Sequence, residues 1–153
     1  MSSMHRLYEN EDVSVFWDGE RCRHARECVT GSPAVFDFQR KPWIDLSRAP
    51  NAEIWSTVSK CPTGALSILY NNGITIRLQE DSLRSIALDG DRIIGECDYQ
   101  ETDREVQIVH TEVLPEYGGK GIAKRLVYKV VEAAEKRHKT VVPYCSYAAK
   151  VLN

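Results

Sequence analysis

Three cysteines, a glycine cluster and a late Pro-x-Cys-Ser segment carry the chemistry legible in this chain. Cys22 and Cys28 are separated by five residues, and Cys61-Pro62 follows at a distance. Thiolates are soft ligands suited to iron–sulfur clusters or to zinc, although three ordinary buried cysteines would also satisfy the pattern. Gly118, Gly119 and Gly121 lie between a β-type run, residues 106–114, and an amphipathic helical pattern, residues 122–137. A strand, a glycine turn and a helix together aim backbone N–H groups at an anion. Glycines let the backbone approach a phosphate because no Cβ intervenes, and they equally suit a plain turn. The segment is no Walker loop, since no Gly-Lys-Ser/Thr is present, and it lacks the Rossmann spacing. Cys145 follows a short strand pattern and precedes a short helical run, residues 146–152. A thiol at a helix N-terminus has a lowered pKa, and the thiolate is the nucleophile. The alternative is a small buried hydrophobe. Cys97, inside GECDY, has no such context and reads as core.

The elements that must position these residues fall into two halves. VSVFW at residues 13–17 is β-branched and aromatic and predicts a strand, closed by Asp18-Gly19. Residues 34–38 predict a second strand and residues 42–45 an extended run. Asn51 is the expected N-cap of a helix that buries Ile54, Trp55 and Val58, delivers Cys61 and stops at Pro62. Residues 65–70 predict another apolar strand. Asn71-Asn72-Gly73 is the turn that divides the chain into residues 1–70 and 71–153. Beyond it, ITIRL, RSIALDG, DRIIGECDY and REVQIVHTEVL alternate like a meander of antiparallel strands, with a hairpin at Leu88-Asp89-Gly90-Asp91. In the helix that follows, Ile122, Leu126, Val130, Ala123, Val127, Val131 and Ala134 form the apolar stripe. Lys120, Lys124, Arg125, Lys129, Glu132 and Lys136 take the wet side. The last strand is expected at residues 140–142.

The whole-chain figures narrow the setting. A length of 153 residues suits one domain or two very small ones. A formal charge of −2 gives no electrostatic case for nucleic acid or an anionic membrane as partner. No apolar run approaches the roughly 20 residues of a membrane span. The N-terminus lacks the apolar core of a secretory signal, and five cysteines is an odd number. These features lead us to expect a reducing cytoplasm.

The first half resembles small single-cluster ferredoxins of the divergent kind, over residues 13–69. The resemblance rests on Cys22 and Cys28, then Ser32-Pro33-Ala34-Val35-Phe36, then Cys61-Pro62-Thr63-Gly64-Ala65-Leu66. It implies an iron–sulfur cluster held by Cys22, Cys28 and Cys61. Four-iron ferredoxins usually place another Cys or an Asp between the first pair, whereas this chain has Arg23-His24-Ala25-Arg26-Glu27. The set therefore implies a 3Fe-4S cluster, or a 4Fe-4S cluster with His24 as fourth ligand, since imidazole can replace thiolate on iron. Zinc in a Cys₃His tetrahedron of Cys22, His24, Cys28 and Cys61 is the rival.

EYGGKGIA, residues 116–123, resembles the pyrophosphate loop of the GNAT superfamily of N-acetyltransferases. Gly121 and Ala123 match the last two fixed positions, and Gly118 stands where Arg or Gln is usual. The resemblance covers residues 74–151 and is closest to minimal members that end in Pro-x-Cys-Ser. It implies that acetyl-CoA is held by Val113, Gly118, Gly119, Lys120, Gly121, Ile122, Ala123 and Lys124. It implies Cys145 as acyl-accepting residue, His110 or Glu112 as general base, and Tyr147 as donor to the leaving thiolate. The expected fold is α+β: a small ferredoxin-like iron–sulfur module followed by a truncated GNAT-like antiparallel-sheet domain with a central helix. The expected function is acetyl transfer from acetyl-CoA to an amine or thiol acceptor, small molecule or protein, with a redox partner or redox control through the cluster. The competing expectation is a non-catalytic redox or CoA-binding sensor.

Overall fold

The computed structural model describes residues 5–19, 27–37, 39, 40 and 42–152. The chain divides into two compact units, one running Arg6–Asn71 and the other holding Met1–His5 together with Asn72–Asn153. Asn72 and Gly73 both take positive φ, 53° and 77°, which is the left-handed conformation a tight turn between strands requires. No helix among the described residues is long and apolar enough to cross a membrane.

The first unit is a three-stranded sheet with two short helices. Strands β1 (His5–Glu9), β2 (Val13–Asp18) and β3 (Leu66–Tyr70) lie in that spatial order. β2 and β3 pair antiparallel from Val13↔Tyr70 to Trp17↔Leu66. Helix α1 spans Glu27–Gly31 and α2 spans Asn51–Val58. The core is Val13, Val15, Val35, Phe36, Ile44, Leu46, Ile54, Val58 and Leu66. Each such fully buried side chain contributes about 1.5–3 kcal/mol. Of the strand expected at residues 34–38, the described part, residues 34–37, forms none. Val35 and Phe36 are buried, but the segment is held by an isolated bridge, Phe36↔Ile44, with Phe38 outside the described residues. The side chain of Arg40 ties this loop together by donating to the carbonyl oxygens of Ala34 and Val35.

Three details of α2 differ from expectation. Pro50 is the N-cap, and Asn51 instead links to Asn10 and Asp12 through its side chain. The amide of Asn51 is thereby committed outside its own helix, which leaves the cap without a side-chain hydrogen bond. Trp55 is only half-buried and stacks on Tyr70 at 4.7 Å, while Thr57 takes a buried place. The helix ends at Val58, so Cys61 sits in the turn after it rather than on it.

The second unit is a five-stranded sheet covered by one long helix. Strands β4 (Ile74–Gln79), β5 (Arg84–Asp89), β6 (Arg92–Glu101) and β7 (Glu105–Val113) form the expected antiparallel meander. Helix α3 (Ile122–Lys136) returns the chain, and β8 (Thr140–Pro143) adds to β7 in parallel, so the sheet is mixed. Helix α4 spans Ser146–Leu152. The core combines Ile94, Cys97, Tyr99, Val106 and Ile108 with Ile122, Leu126, Val127, Val130, Val131 and Ala134 of α3. Arg125 does not take the wet side. It is 2% exposed, and its Nη2 donates to the carbonyl oxygen of Ile74 at 2.9 Å, which gives a buried guanidinium a polar partner.

The register of β7 is broken once. Asp98 pairs with His110 and Tyr99 with Ile108, leaving Val109 as an extra residue in β7. A bulge reverses the inside–outside alternation of a strand. Val106 and Ile108 point to the core before it, and Thr111 and Val113 take the inner face after it, leaving His110 and Glu112 exposed.

Candidate functional site

The glycine loop is built by the end of β7 and the start of α3. A 3-10 turn at Pro115–Tyr117 follows β7 and closes with the Gly118 N–H donating to the Pro115 carbonyl oxygen. Gly119 has φ +77°, and Gly121, the N-cap of α3, has φ +74°. A side chain at either position would sit in a backbone region costing about 1–2 kcal/mol for an L-residue. Gly121 supplies no side-chain cap, so the first N–H groups of a fifteen-residue helix remain available at the loop. The loop is pinned from outside: Tyr117 Oη donates to Asp89 Oδ2 at 2.5 Å, and Arg92 pairs with Glu116 at 3.4 Å. Lys120 lies over the Tyr117 ring at 5.8 Å and Lys124 over the Tyr128 ring at 5.6 Å. Gly118, Gly119 and Lys120 are exposed, Val113, Gly121, Ala123 and Lys124 are half-buried, and Ile122 is core.

β7 and β8 part below this loop. Their ladder ends at Ile108↔Pro143, and β7 continues through residues 109–113 without β8 beside it. Tyr144 and Cys145 both donate their N–H to the Ile108 carbonyl oxygen at 2.9 Å, which turns the chain into α4. Cys145 therefore stands at the mouth of the opening, half-buried against the core. Burial pushes its thiol up, but hydrogen bonds from the Ala148 N–H, the Thr111 side chain and the backbone of Tyr147 and Thr111 outweigh it. The net shift is downward. Cys97 goes the other way: burial pushes it up to about 12. Cys97 is core, as its strand context implies, but its sulfur lies 3.5 Å from Thr111 Oγ1 and is close enough to Cys145 to interact with it.

His110 and Glu112 are brought together but not to Cys145. His110 Nε2 and Glu112 Oε2 lie 3.4 Å apart, with 54% and 64% of their side chains exposed, on the face opposite Thr111. Tyr147 packs against the core, and burial raises its phenol and keeps it protonated. Thr111 is the residue that sequence reasoning missed. Plain alternation selects His110 and Glu112 together, and only the bulge at Val109 shows which face each residue takes.

In the first unit, Cys28 lies on α1 and Cys61 in the turn between α2 and β3, and both pack against the same core. None of the four described cysteines is in a disulfide. Burial raises the Cys61 thiol, but N–H groups of Leu66, Thr63 and Ala65, with the Thr63 hydroxyl at 3.8 Å, bring it below its ordinary value. Gly64, at φ +73°, lets the turn wrap these amides around the sulfur. Amide donors aimed at a thiolate sulfur stabilise its charge and tune an iron–sulfur cluster that it ligates, so Cys61 fits that group. Cys22 and His24 lie outside the described residues, and among those described no group of three or more His, Cys, Asp or Glu is placed to hold a metal ion.

Residues 8–71 match the family described as divergent 4Fe-4S mono-cluster, and residues 85–153 match GCN5-related N-acetyl-transferase. The uncharacterized protein YjdI of Escherichia coli K12 is 34% identical over 62 residues, 40% of this chain and 82% of YjdI. Among solved structures, an aminoglycoside acetyltransferase from an uncultured soil metagenomic sample aligns with a TM-score of 0.38 and 19% identity, over 86% of this chain and 77% of that one. A GCN5-related N-acetyltransferase from Sphaerobacter thermophilus aligns with a TM-score of 0.40 and 18% identity, over 89% and 36% of the two chains. A ribosomal-protein-alanine N-acetyltransferase from Brucella melitensis aligns with a TM-score of 0.40 and 14% identity, over 92% and 86%. The first unit thus carries the segment that matches the divergent single-cluster 4Fe-4S family and is shared with YjdI, and the second carries the segment that matches the GCN5-related N-acetyltransferase family.

Proposed function

We propose that the second unit transfers an acetyl group from acetyl-CoA to an amine or thiol acceptor through Cys145. The observation that carries this reading is the position of Cys145 where β8 leaves the edge of β7, beside the stretch of β7 that leads to the glycine loop. The pyrophosphate would lie against the N–H groups of residues 118–123, with Lys120 and Lys124 near the phosphates and Val113 beside the pantetheine arm. The Cys145 thiolate attacks the acetyl carbonyl, forming a new S–C bond as the CoA S–C bond breaks. The CoA thiolate leaves with the electron pair and takes a proton from water, or from Tyr147. The acceptor then attacks the acetyl-enzyme, its N–C or S–C bond forms, its proton is lost, and Cys145 is released. One thioester replaces another in the first half, so that half needs no external energy source. His110 or Glu112, on the face opposite Thr111, would serve as base only in the alternative in which the acceptor attacks acetyl-CoA directly from that face.

In the first unit Cys22, Cys28 and Cys61 would hold the cluster, with His24 as fourth ligand for 4Fe-4S or without it for 3Fe-4S. The cluster supplies one-electron chemistry when bound, and through it the chain would answer to redox state. The amides around Cys61 bring its thiol below the ordinary value, which eases the loss of its proton on binding metal.

Peptide mapping after acetyl-CoA is added to protein with its cluster intact tests the transfer reading. An acetyl group on Cys145 that disappears in Cys145→Ala supports it. A Cys145→Ala chain that keeps full transfer activity moves the mechanism to direct attack by the acceptor. CoA binding with no adduct and no transfer favours the non-catalytic sensor.

A further inference from the structure

The turn that carries Cys61 is clamped at both ends. The Cys61 N–H donates to the Val58 carbonyl oxygen at 3.1 Å, which ties the turn to the end of α2. The Asp18 N–H donates to the Ala65 carbonyl oxygen at 2.7 Å, which ties it to β2. Ala65 and Leu66 are buried, so the far end is also anchored in the core. Between these ties Pro62 has a fixed φ, and Gly64 takes φ +73°. Thr63 lies inside this span, half-buried, with its Oγ1 3.8 Å from Cys61 Sγ. Its β-branched side chain has few χ1 choices, so a clamped backbone also holds the hydroxyl. While Cys61 keeps its proton, either atom can be the donor. A sulfur that ligates metal has no proton. Once Cys61 holds metal, only the Thr63 hydroxyl can donate, and its acceptor is a charged sulfur.

We propose that Thr63 tunes the reduction potential of the cluster held by Cys61, by donating its hydroxyl hydrogen bond to the ligating sulfur. This role rests on the cluster reading of the first unit and says what sets its redox response. Uptake of one electron from an external low-potential donor adds one negative charge, part of which falls on the ligating sulfurs. A donor aimed at a sulfur stabilises the more negative state more, so the hydroxyl raises the potential. Its proton stays on Oγ1 throughout, and no covalent bond is made or broken. The amides of the turn belong to the backbone and act whatever residue stands at position 63. The hydroxyl is the contribution that the side chain at 63 decides.

The test is a redox titration, with dithionite as reductant, of the full chain purified without oxygen. Wild type, Thr63→Val and Thr63→Ser are compared, with iron and labile sulfide measured in each. Thr63→Val keeps the shape and removes the donor. Its midpoint potential should fall, by up to about ten-fold in the one-electron equilibrium, which is about 59 mV. Thr63→Ser restores the donor and should lie near wild type. A methyl in place of the hydroxyl also makes the surroundings more apolar, so a second measurement reads the hydrogen bond itself. Electron–nuclear double resonance on the paramagnetic state of the wild-type cluster should show a proton coupling that is lost on brief transfer into D2O and is absent from Thr63→Val. A wild type without such a coupling overturns the proposal without any variant, so a valine chain that fails to fold does not shelter it. A valine potential that superimposes on wild type overturns it too. Iron and sulfide report on the cluster separately. Iron present with an unmoved potential sinks the role of Thr63 and keeps the cluster, whereas colourless wild type sinks the cluster reading and the tuning role with it.

Discussion

Asp98 shows how a single residue on the open face of the sheet answers to its surroundings. Burial, then a shared hydrogen bond and like charge from Glu96, push its carboxyl up to about 6 against the opposing charges of His110 and Arg84. The folded chain therefore keeps a proton that the unfolded chain releases from roughly pH 4 upward. Stability falls as pH rises across that window, and the penalty is complete above about 6. Asp98→Asn removes the charge, so the variant should be more stable than wild type at neutral pH and indistinguishable from it near the unfolded carboxylate pKa. Urea denaturation at the two pH values checks this. Gly95 is constrained by space instead. A Cβ there would meet the Glu112 carbonyl oxygen at 3.0 Å and Val113 Cγ2 at 3.1 Å. Gly95→Val should destabilise the second unit by about 1–3 kcal/mol through overpacking, read as a lower denaturation midpoint with unchanged slope.

At the scale of elements, the bulge in β7 decides which chemistry faces which way. Deleting Val109 would remove only the extra residue: Ile108, Thr111 and Val113 would stay inward and His110 and Glu112 outward, in plain alternation. The shortened chain should therefore fold, and failure to give soluble protein with a native far-ultraviolet spectrum would contradict the assignment. The loop at the other end of β7 depends on the β5–β6 hairpin, through Tyr117 and Asp89. Tyr117→Phe should leave the fold intact and weaken CoA binding a few-fold by calorimetry. Gly121→Asp, which adds a side chain at positive φ and a negative charge where a phosphate is proposed, should abolish binding in a folded chain. Unchanged affinity in both would move the site elsewhere.

For the whole molecule the question is what the first unit carries. Protein purified without oxygen should be brown, with iron and labile sulfide in near-equal amounts, and Cys61→Ala or Cys28→Ala should lose both. Colourless protein with stoichiometric zinc would replace the cluster with a tetrahedral site. His24→Ala separates the two iron stoichiometries: a four-iron cluster that depends on His24 should convert to three-iron, with its spin signature, whereas a three-iron cluster should not change.

Much of this was legible in the sequence because it depends on neighbours along the chain. The meander, the glycine loop, helix α3, and the strand, cysteine and short helix at the end all follow local periodicity and turn chemistry, and they stand where the pattern puts them. The segment at residues 34–38 did not, because its apolar residues are buried by a loop tied through Arg40 rather than by a ladder. Arg125 was misread for a related reason. A helical wheel registers its charge but cannot show a carbonyl on β4 that accepts from it. The site divides in the same way. Local context marked Cys145 as a candidate nucleophile and Cys61 as a candidate cluster ligand. Thr111 was invisible, because its inward place comes from one extra residue in a strand and its partner is a cysteine 14 positions away in the chain. A sequence specifies which groups can ionise or donate; only the tertiary structure decides which of them share a face, because burial and hydrogen bonding are properties of neighbours in space.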